Sequence, residues 1–214
     1  VVGGTESRFP HHGGTPADRR SAVIAAAQAS LADAGVPESR VLGVALGIAA
    51  QVTPDGSIAP GQELAPMFDL GLTKEFGEEF GWPVLVENDA KLAALAERWR
   101  GTGVDENNLA VILAGERLGT GVIESGRLVH GALGRAGTMG GLELVEGVGN
   151  QDGIAKLARL WGTAALDAGH EGMIRRLVGN HTNRVSARYV FEAAAAGDET
   201  AAEILERIGK RMAR

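Results

Sequence analysis

An asparagine and an aspartate stand where a predicted buried strand ends and a helix begins. Pro83–Glu87 (PVLVE) has the pattern of a buried strand, and Asn88 and Asp89 follow it directly. Residues at the carboxyl end of a sheet strand face the crevice in which α/β proteins bind ligands. An amide beside a carboxylate suits a polyhydroxy ligand, and Asp89 could accept a proton from a hydroxyl. Asn and Asp are also common helix caps, so position alone leaves both interpretations open.

Three glycine-rich segments could bring backbone N–H groups close to a ligand. Gly3, Gly4 and Thr5 predict a turn of the kind that can approach a phosphate, although Gly-Gly pairs are also common in ordinary turns. Gly115–Gly121 (GERLGTG) favours a tight hairpin over a phosphate loop, because Glu116 places negative charge beside any phosphate. Gly131–Gly141 contains no Asp, Glu or His, so it carries no acid–base chemistry itself.

The elements that would position these segments alternate between strands and helices as far as about residue 146. This order predicts an α/β fold with a partly parallel sheet covered by helices. After Asp152 the pattern is nearly all helical, which predicts a tail packed on or inserted into a second lobe. The predicted strands are Arg40–Ile48, Pro83–Glu87 and Leu109–Ala114, and the predicted helices begin with Thr15–Ala34, Leu72–Phe80 and Asp89–Arg100.

Composition and charge exclude several classes of protein. The 214 residues are 44% hydrophobic, which is enough for one or two cores. The formal charge of −6 repels nucleic acid and anionic membranes. No apolar run approaches the roughly 20 residues of a membrane span, and no signal peptide is visible, so we expect a cytoplasmic protein. There are no cysteines, and His130, His170 and His181 lack metal-ligand spacing.

Taken together in this order, four segments of the chain resemble the ROK family (repressors, open reading frames and kinases). They are Gly3–Thr5, Val86–Glu97 (VENDAKLAALAE), Gly119–Gly137 (GTGVIESGRLVHGALGRAG) and Val190–Ile208. The resemblance implies an actin-like, sugar kinase (ribonuclease H-like) fold with two lobes, at about 1–114 and 115–214, and a homodimer. It makes Asn88 a sugar-hydroxyl contact and Asp89 the catalytic base of the kinase members.

Departures from the family pattern affect the parts that handle nucleotide. Kinases of the family have an acidic residue, which helps to hold magnesium, where this chain has Val1. Their second phosphate loop, Gly-Thr-Gly-Ile-Gly, falls on Gly115–Gly119. Arg117 fills space that a glycine leaves open, and Glu116 adds like-charge repulsion. The glycine-rich segment that contacts adenosine in the family has no counterpart before Arg214, so the chain is expected to be truncated at both ends.

Two further departures affect the sugar and zinc positions. The family's sugar-contacting Glu falls on Thr138, and its zinc- and sugar-contacting His falls on Gly141. The cysteines that complete the family's zinc site are absent. The resemblance therefore implies a pocket that keeps Asn88 and Asp89 but lacks the zinc set, and we expect neither zinc nor any other cofactor.

We therefore predict the sensor domain of a ROK-type transcriptional regulator, which binds a sugar or related metabolite between its lobes without turnover. Its DNA contact would come from a segment outside this chain. The alternative is a glucokinase-like sugar kinase that uses ATP, magnesium and Asp89 as base, and a third possibility is a homologue that binds nothing. The predicted ligand residues are Asn88, Asp89, Thr138 and Gly141, and the degenerate phosphate loops contain Gly3, Gly4, Thr5, Glu116 and Arg117.

Overall fold

Helices alternate with short strands in the first part of the chain, and the last third is helical, as predicted. The computed structural model of the protein describes residues 15–62, 69–140 and 142–214. The strands are β1 (Val44–Ile48), β2 (Val84–Asn88), β3 (Leu109–Ala114), β4 (Leu118–Glu124) and β5 (Arg127–Leu128). The α-helices are α1 (Pro16–Ala34), α2 (Leu72–Phe80), α3 (Asp89–Arg100), α4 (Ile154–Asp167), α5 (Met173–Val178), α6 (Ala187–Ala195) and α7 (Glu199–Met212).

Helix α1 begins and ends at the residues that the sequence predicts. Thr15 and Asp18 form a capping box, in which the Thr15 hydroxyl accepts from the Asp18 N–H and the Asp18 carboxylate accepts from the Thr15 N–H. Pro16 occupies the first turn, where its missing N–H costs no hydrogen bond. Gly35 ends the helix in the left-handed conformation, with φ of 63°.

The first sheet is the parallel pair of β1 and β2. Val44 lies opposite Val84, and Ile48 lies opposite Asn88. Parallel strands need a crossover connection, and helix α2 lies in that crossover. The prediction that β1 starts at Arg40 is wrong, because Glu38–Arg40 is a short 3-10 turn. The ladder starts where the Val44 N–H donates to the Pro83 carbonyl, and a Cβ at Gly43 would already crowd that oxygen.

The second sheet contains β3, β4 and β5 in that order, and β4 pairs with β5 in antiparallel fashion. The turn between β4 and β5 is formed by Ser125 and Gly126. Both residues have positive φ, of 50° and 76°, as a two-residue turn of the primed type requires. Within the described ranges, no helix is long and apolar enough to cross a membrane.

The chain divides into two compact units. One contains the described residues up to 109 together with 123–137, and the other contains 110–122 and the described residues from 138 to 214. The second unit has a hydrophobic core built by helices α4 to α7. The buried side chains of that core are Leu157, Ala158, Leu166, Ile174, Val178, Val185, Val190, Ala193, Ala201, Ile204 and Ile208.

One buried carboxylate caps two helices of this core. Asp198 Oδ1 accepts from the Ala201 N–H at the start of α7, and Oδ2 accepts from the Met173 N–H at the start of α5. His170 Nε2 lies 3.3 Å from the same carboxylate, whose side chain is 2% exposed. Burial alone would raise the pKa of Asp198, but the backbone N–H groups outweigh it and hold that pKa below its usual value.

Asp198→Asn should destabilise the protein by about 2–3 kcal/mol at pH 7, since an amide cannot accept at both positions and puts an NH₂ against an N–H. The folded-state pKa of Asp198 is lowered, so its stabilisation is present above the unfolded pKa, near 3.8, and is lost as pH falls further. Urea denaturation at pH 7 and below pH 3.8 measures both effects. Asp18→Asn, at the exposed cap of α1, is the control and should lose less. An equal loss at both pH values would contradict this account.

Candidate functional site

Asn88 is the last residue of β2 and the N-cap of α3. Its Oδ1 accepts from the Ala90 and Lys91 N–H groups, at 3.1 and 3.2 Å. Its Nδ2 donates to the carbonyl of Ala50, just beyond the end of β1, at 3.0 Å. The capping role that the sequence leaves open for Asn88 is therefore present. An asparagine amide has two N–H donors, so one donor remains for a ligand at this strand end.

Asp89 is the first residue of α3, and its side chain is exposed. Its Oδ1 accepts from the Ala90 N–H at 2.8 Å. The positive end of the helix dipole favours a negative charge at this position. The geometry therefore keeps an accessible carboxylate beside the Asn88 amide, which is an arrangement that can accept hydrogen bonds from hydroxyl groups.

Glu87, which precedes this pair, connects the strand end to the segment after β5. Its Oε1 accepts from the Asn88 N–H at 2.7 Å, and its Oε2 lies 2.5 Å from His130 Nε2. The Glu87 side chain is 16% exposed and that of His130 is 31% exposed. A carboxylate this buried requires such partners, because an unpaired buried charge is costly. The single Glu87 side chain thus fixes both the backbone of Asn88 and the position of His130.

Lys91, in the first turn of α3, forms a second connection to the segment of residues 130–137, which we name the 130–137 loop. The Lys91 side chain is fully buried, and its Nζ donates to the Gly134 carbonyl at 2.9 Å. Burial lowers the pKa of Lys91, and the negative charge of Glu87 opposes that shift. Gly134 has φ of 67°, and a Cβ there would overlap the carbonyl oxygen of Val52. Glycine is therefore needed for this close approach.

The connection between β3 and β4, at residues 115–117, presents carbonyl oxygens to the start of α4. The Ala155 N–H donates to the Gly115 carbonyl, and the Gly153 N–H donates to the Glu116 carbonyl, both at 3.0 Å. Free N–H groups at a helix start are the usual donors to phosphate. Here two of them already bind the loop itself. Arg159 also donates to the Glu116 carboxylate, at 2.6 Å.

Arg117 fixes the other side of the same connection. It pairs as an isolated bridge with Asp152, and its guanidinium donates to Gln151 Oε1 at 2.9 Å. Leu118 N–H donates to the Gln151 carbonyl at 2.8 Å. Residues 115–118 are therefore held along residues 151–155 by backbone and side-chain hydrogen bonds. The predicted hairpin between the two strands is confirmed, since β3 and β4 are neighbours in the sheet.

Comparison with known proteins places this chain in a family. The sequence profile of the ROK family matches residues 6–214. The chain belongs to the ROK family. A curated glucokinase from Halalkalibacterium halodurans is 30% identical over 155 residues, which cover 65% of this chain and 46% of that protein.

Two solved ROK structures share the fold. A glucokinase from Streptomyces griseus, in complex with glucose and AMPPNP, is 25% identical with a TM-score of 0.72, over 91% of this chain and 64% of that one. A transcriptional regulator described as a homolog of the E. coli MLC protein is 22% identical with a TM-score of 0.71, over 96% of this chain and 53% of that one. The predicted actin-like sugar kinase fold is confirmed. The chain spans less than two thirds of each of these three relatives.

The other predicted site residues, Thr138, Gly141 and Gly3–Thr5, either belong to the second unit or lie outside the described residues. Thr138 is half-buried and belongs to the second unit, at the end of the 130–137 loop. Gly141 and the Gly3–Thr5 turn lie outside the described residues. The joint ligand set of Asn88, Asp89, Thr138 and Gly141 therefore stays a prediction.

The ROK resemblance also implies zinc, and the donor set of this chain does not fit it. Across residues 15–62, 69–140 and 142–214, no three His, Asp or Glu side chains cluster as metal ligands. The whole sequence contains no cysteine to supply a thiolate. Where the resemblance places the second phosphate loop of ROK kinases, the carbonyls of residues 115 and 116 accept hydrogen bonds from the start of α4.

Sequence reasoning missed Glu87 and His130 as site residues. Glu87 was present in the VENDA segment, but a glutamate that ends a buried strand signals a buried partner, and that signal could have drawn attention to it. His130 is 43 residues away, so spacing along the chain gives no sign of the pair. Lys91 shows a similar signal, as a cation on the face of α3 that packs inward.

Gly134→Ala should destabilise the fold, because the added Cβ meets the Val52 carbonyl in a left-handed backbone conformation. Gly35→Ala is a matched control, since Gly35 also has positive φ, of 63°, but a Cβ there would meet nothing within 4 Å. The control should lose about 1 kcal/mol from backbone strain. Chemical denaturation should show a clearly larger loss for Gly134→Ala. Equal losses would mean that the 130–137 loop does not pack closely on residue 52.

Proposed function

We propose that this chain is the ligand-sensing part of a ROK transcriptional regulator. It binds a sugar or a related polyhydroxy metabolite at the strand end carrying Asn88 and Asp89, and it does not phosphorylate that ligand. The observation that carries the proposal is the connection at residues 115–117, where the phosphate loop of ROK kinases falls. There the N–H groups at the start of α4 and the guanidinium of Arg159 bind the loop, and the guanidinium of Arg117 binds Gln151.

Phosphoryl transfer depends on positioning and charge neutralisation, chiefly by metal ions and backbone N–H donors. A phosphate at this loop would have to displace the Gly153 and Ala155 N–H groups from the loop carbonyls. It would also approach Glu116, whose charge repels it while Arg159 is already paired. Each requirement opposes binding of a triphosphate, so we expect the nucleotide function to be lost.

The strand end, in contrast, keeps groups suited to hydroxyl recognition. Asp89 is exposed, and Asn88 has a remaining N–H donor in a side chain that its other hydrogen bonds hold in place. A rigid donor beside an acceptor loses little conformational entropy when a ligand binds. Binding without turnover fits a sensor, in which the ligand shifts a conformational equilibrium by its differential affinity for two states.

The alternative is an ATP-dependent sugar kinase with Asp89 as general base. It is favoured by the accessible carboxylate of Asp89 and by the relatives that are named glucokinases. The regulator of known structure shares the fold, and its likeness supports nothing finer. Under the sensor proposal, the protein acts as a homodimer, and DNA is contacted by a segment outside this acidic chain.

Sugar-dependent ATP consumption should be absent. A coupled assay with D-glucose, D-xylose, D-mannose and cellobiose, in the presence of ATP and magnesium, measures it. The matched variant is the double change Glu116→Thr with Arg117→Gly, which restores the family's Gly-Thr-Gly. ATP consumption by this variant would show that Glu116 and Arg117 suppress it in the wild type. Turnover of the wild type at about 1 per second or faster, abolished by Asp89→Ala, would establish the kinase alternative.

Asp89→Asn should weaken the binding of any sugar in this panel about ten- to a hundredfold, because it removes a charge-assisted hydrogen bond. Isothermal titration calorimetry on the wild type and the variant measures the change in Kd. Asp105→Asn is the control, since Asp105 is an exposed aspartate of the same unit and should leave Kd unchanged. Unchanged affinity in Asp89→Asn would remove Asp89 from the site, and no binding of any sugar to the wild type would refute the sensor proposal.

A further inference from the structure

We infer that Glu87 and His130 are positioning residues, which hold the 130–137 loop against the Asn88 strand end and thereby set ligand affinity without contacting the ligand. The inference deepens the proposed function and rests on it for the affinity part. The part that concerns the loop itself stands on geometry alone.

Two connections of equal spacing join β2 and α3 to the loop. Glu87 meets His130, and Lys91, four residues later, meets the carbonyl of Gly134, four residues after His130. The loop is also closed on itself, since the Ala136 N–H donates to the His130 carbonyl at 3.0 Å. A loop held at two such points keeps one position relative to the strand end.

The Glu87 carboxylate acts on the ligand residue through the backbone. One oxygen accepts from the Asn88 N–H, so the same side chain that holds His130 also fixes where Asn88 begins the helix cap. Loss of this carboxylate would release the Asn88 backbone and His130 together. Asn88 would then hold its remaining N–H donor less firmly. Ligand binding would have to order that side chain, and the entropy lost would weaken affinity.

Direct contact with the ligand does not explain this arrangement. Both Glu87 oxygens already have partners, at 2.7 and 2.5 Å. Lys91 is fully buried, so its ammonium cannot reach a ligand at the surface. Lys91 nevertheless depends on Glu87, because the carboxylate supplies the negative charge that favours its buried cation. Glu87, Lys91 and His130 therefore stabilise the site through its neighbouring segments and do not contact the ligand.

The test compares Glu87→Gln, His130→Gln and the double variant with wild type. In hydrogen–deuterium exchange without ligand, amides of residues 84–92 and 129–137 should exchange about tenfold faster in each single variant, as local opening becomes easier. His170→Gln is the matched control, because His170 is also 31% exposed and faces a carboxylate, but in the other unit. It should leave these two segments unchanged. His130→Gln tests the same connection if Glu87→Gln does not fold.

Calorimetry with D-glucose, or with the sugar of the panel that binds wild type most tightly, measures the second part. Each single variant should weaken binding about tenfold. The double variant should bind no more weakly than Glu87→Gln, since that change already removes the connection to His130. Effects that multiply in the double variant, or exchange that is unchanged in both segments, would overturn the inference. If no sugar binds wild type, the proposed function fails, whereas the exchange result still decides whether Glu87 and His130 hold the loop.

Discussion

The parallel pairing of β1 with β2 is the constraint on which the candidate site depends. Its register sets Ile48 opposite Asn88, so both strands end at the same edge of the sheet. Because of that register, the Ala50 carbonyl lies within reach of the Asn88 amide, and the strand end and helix start become one hydrogen-bonded unit. Asp89 is then presented at the surface by a backbone that is fixed on both sides. A shift of one residue in the pairing would turn Asn88 to the opposite face of the sheet.

Helix starts are used in two different ways in this chain. At α3 a side chain caps the helix and leaves a carboxylate exposed, whereas at α4 the carbonyls of Gly115 and Glu116 occupy the N–H groups. The difference lies in which acceptor lies beside the N–H groups, the Asn88 side chain at α3 and the loop carbonyls at α4. A helix N-terminus attracts whatever acceptor is closest, and in α4 the acceptor is the protein's own backbone. Because of this contrast, we propose a ligand site at the start of α3 and assign a structural role to the start of α4.

Local signals in the sequence were sufficient to predict much of the fold. Thr15, Pro16 and Gly35 mark α1 correctly, and the VLVEN run followed by Asp89 marks the junction of β2 and α3. The start of β1 was misplaced, because the point where a strand begins to pair depends on its partner. Glu87 and His130 were missed for the same reason. Their contact joins positions that are distant in sequence, and no periodicity or spacing encodes it.

The close approach of Gly134 to Val52 divides the 130–137 loop into two kinds of position. Gly134 and His130 are fixed by contacts on the inner side, whereas Ala132 and Leu133 are exposed, Leu133 to 55%. Side chains at 132 and 133 can therefore vary in size and polarity without altering how the loop is anchored. For protein engineering, this separates recognition from folding. A library confined to these two positions would sample new surfaces next to the strand end while the backbone that supports them remains the same.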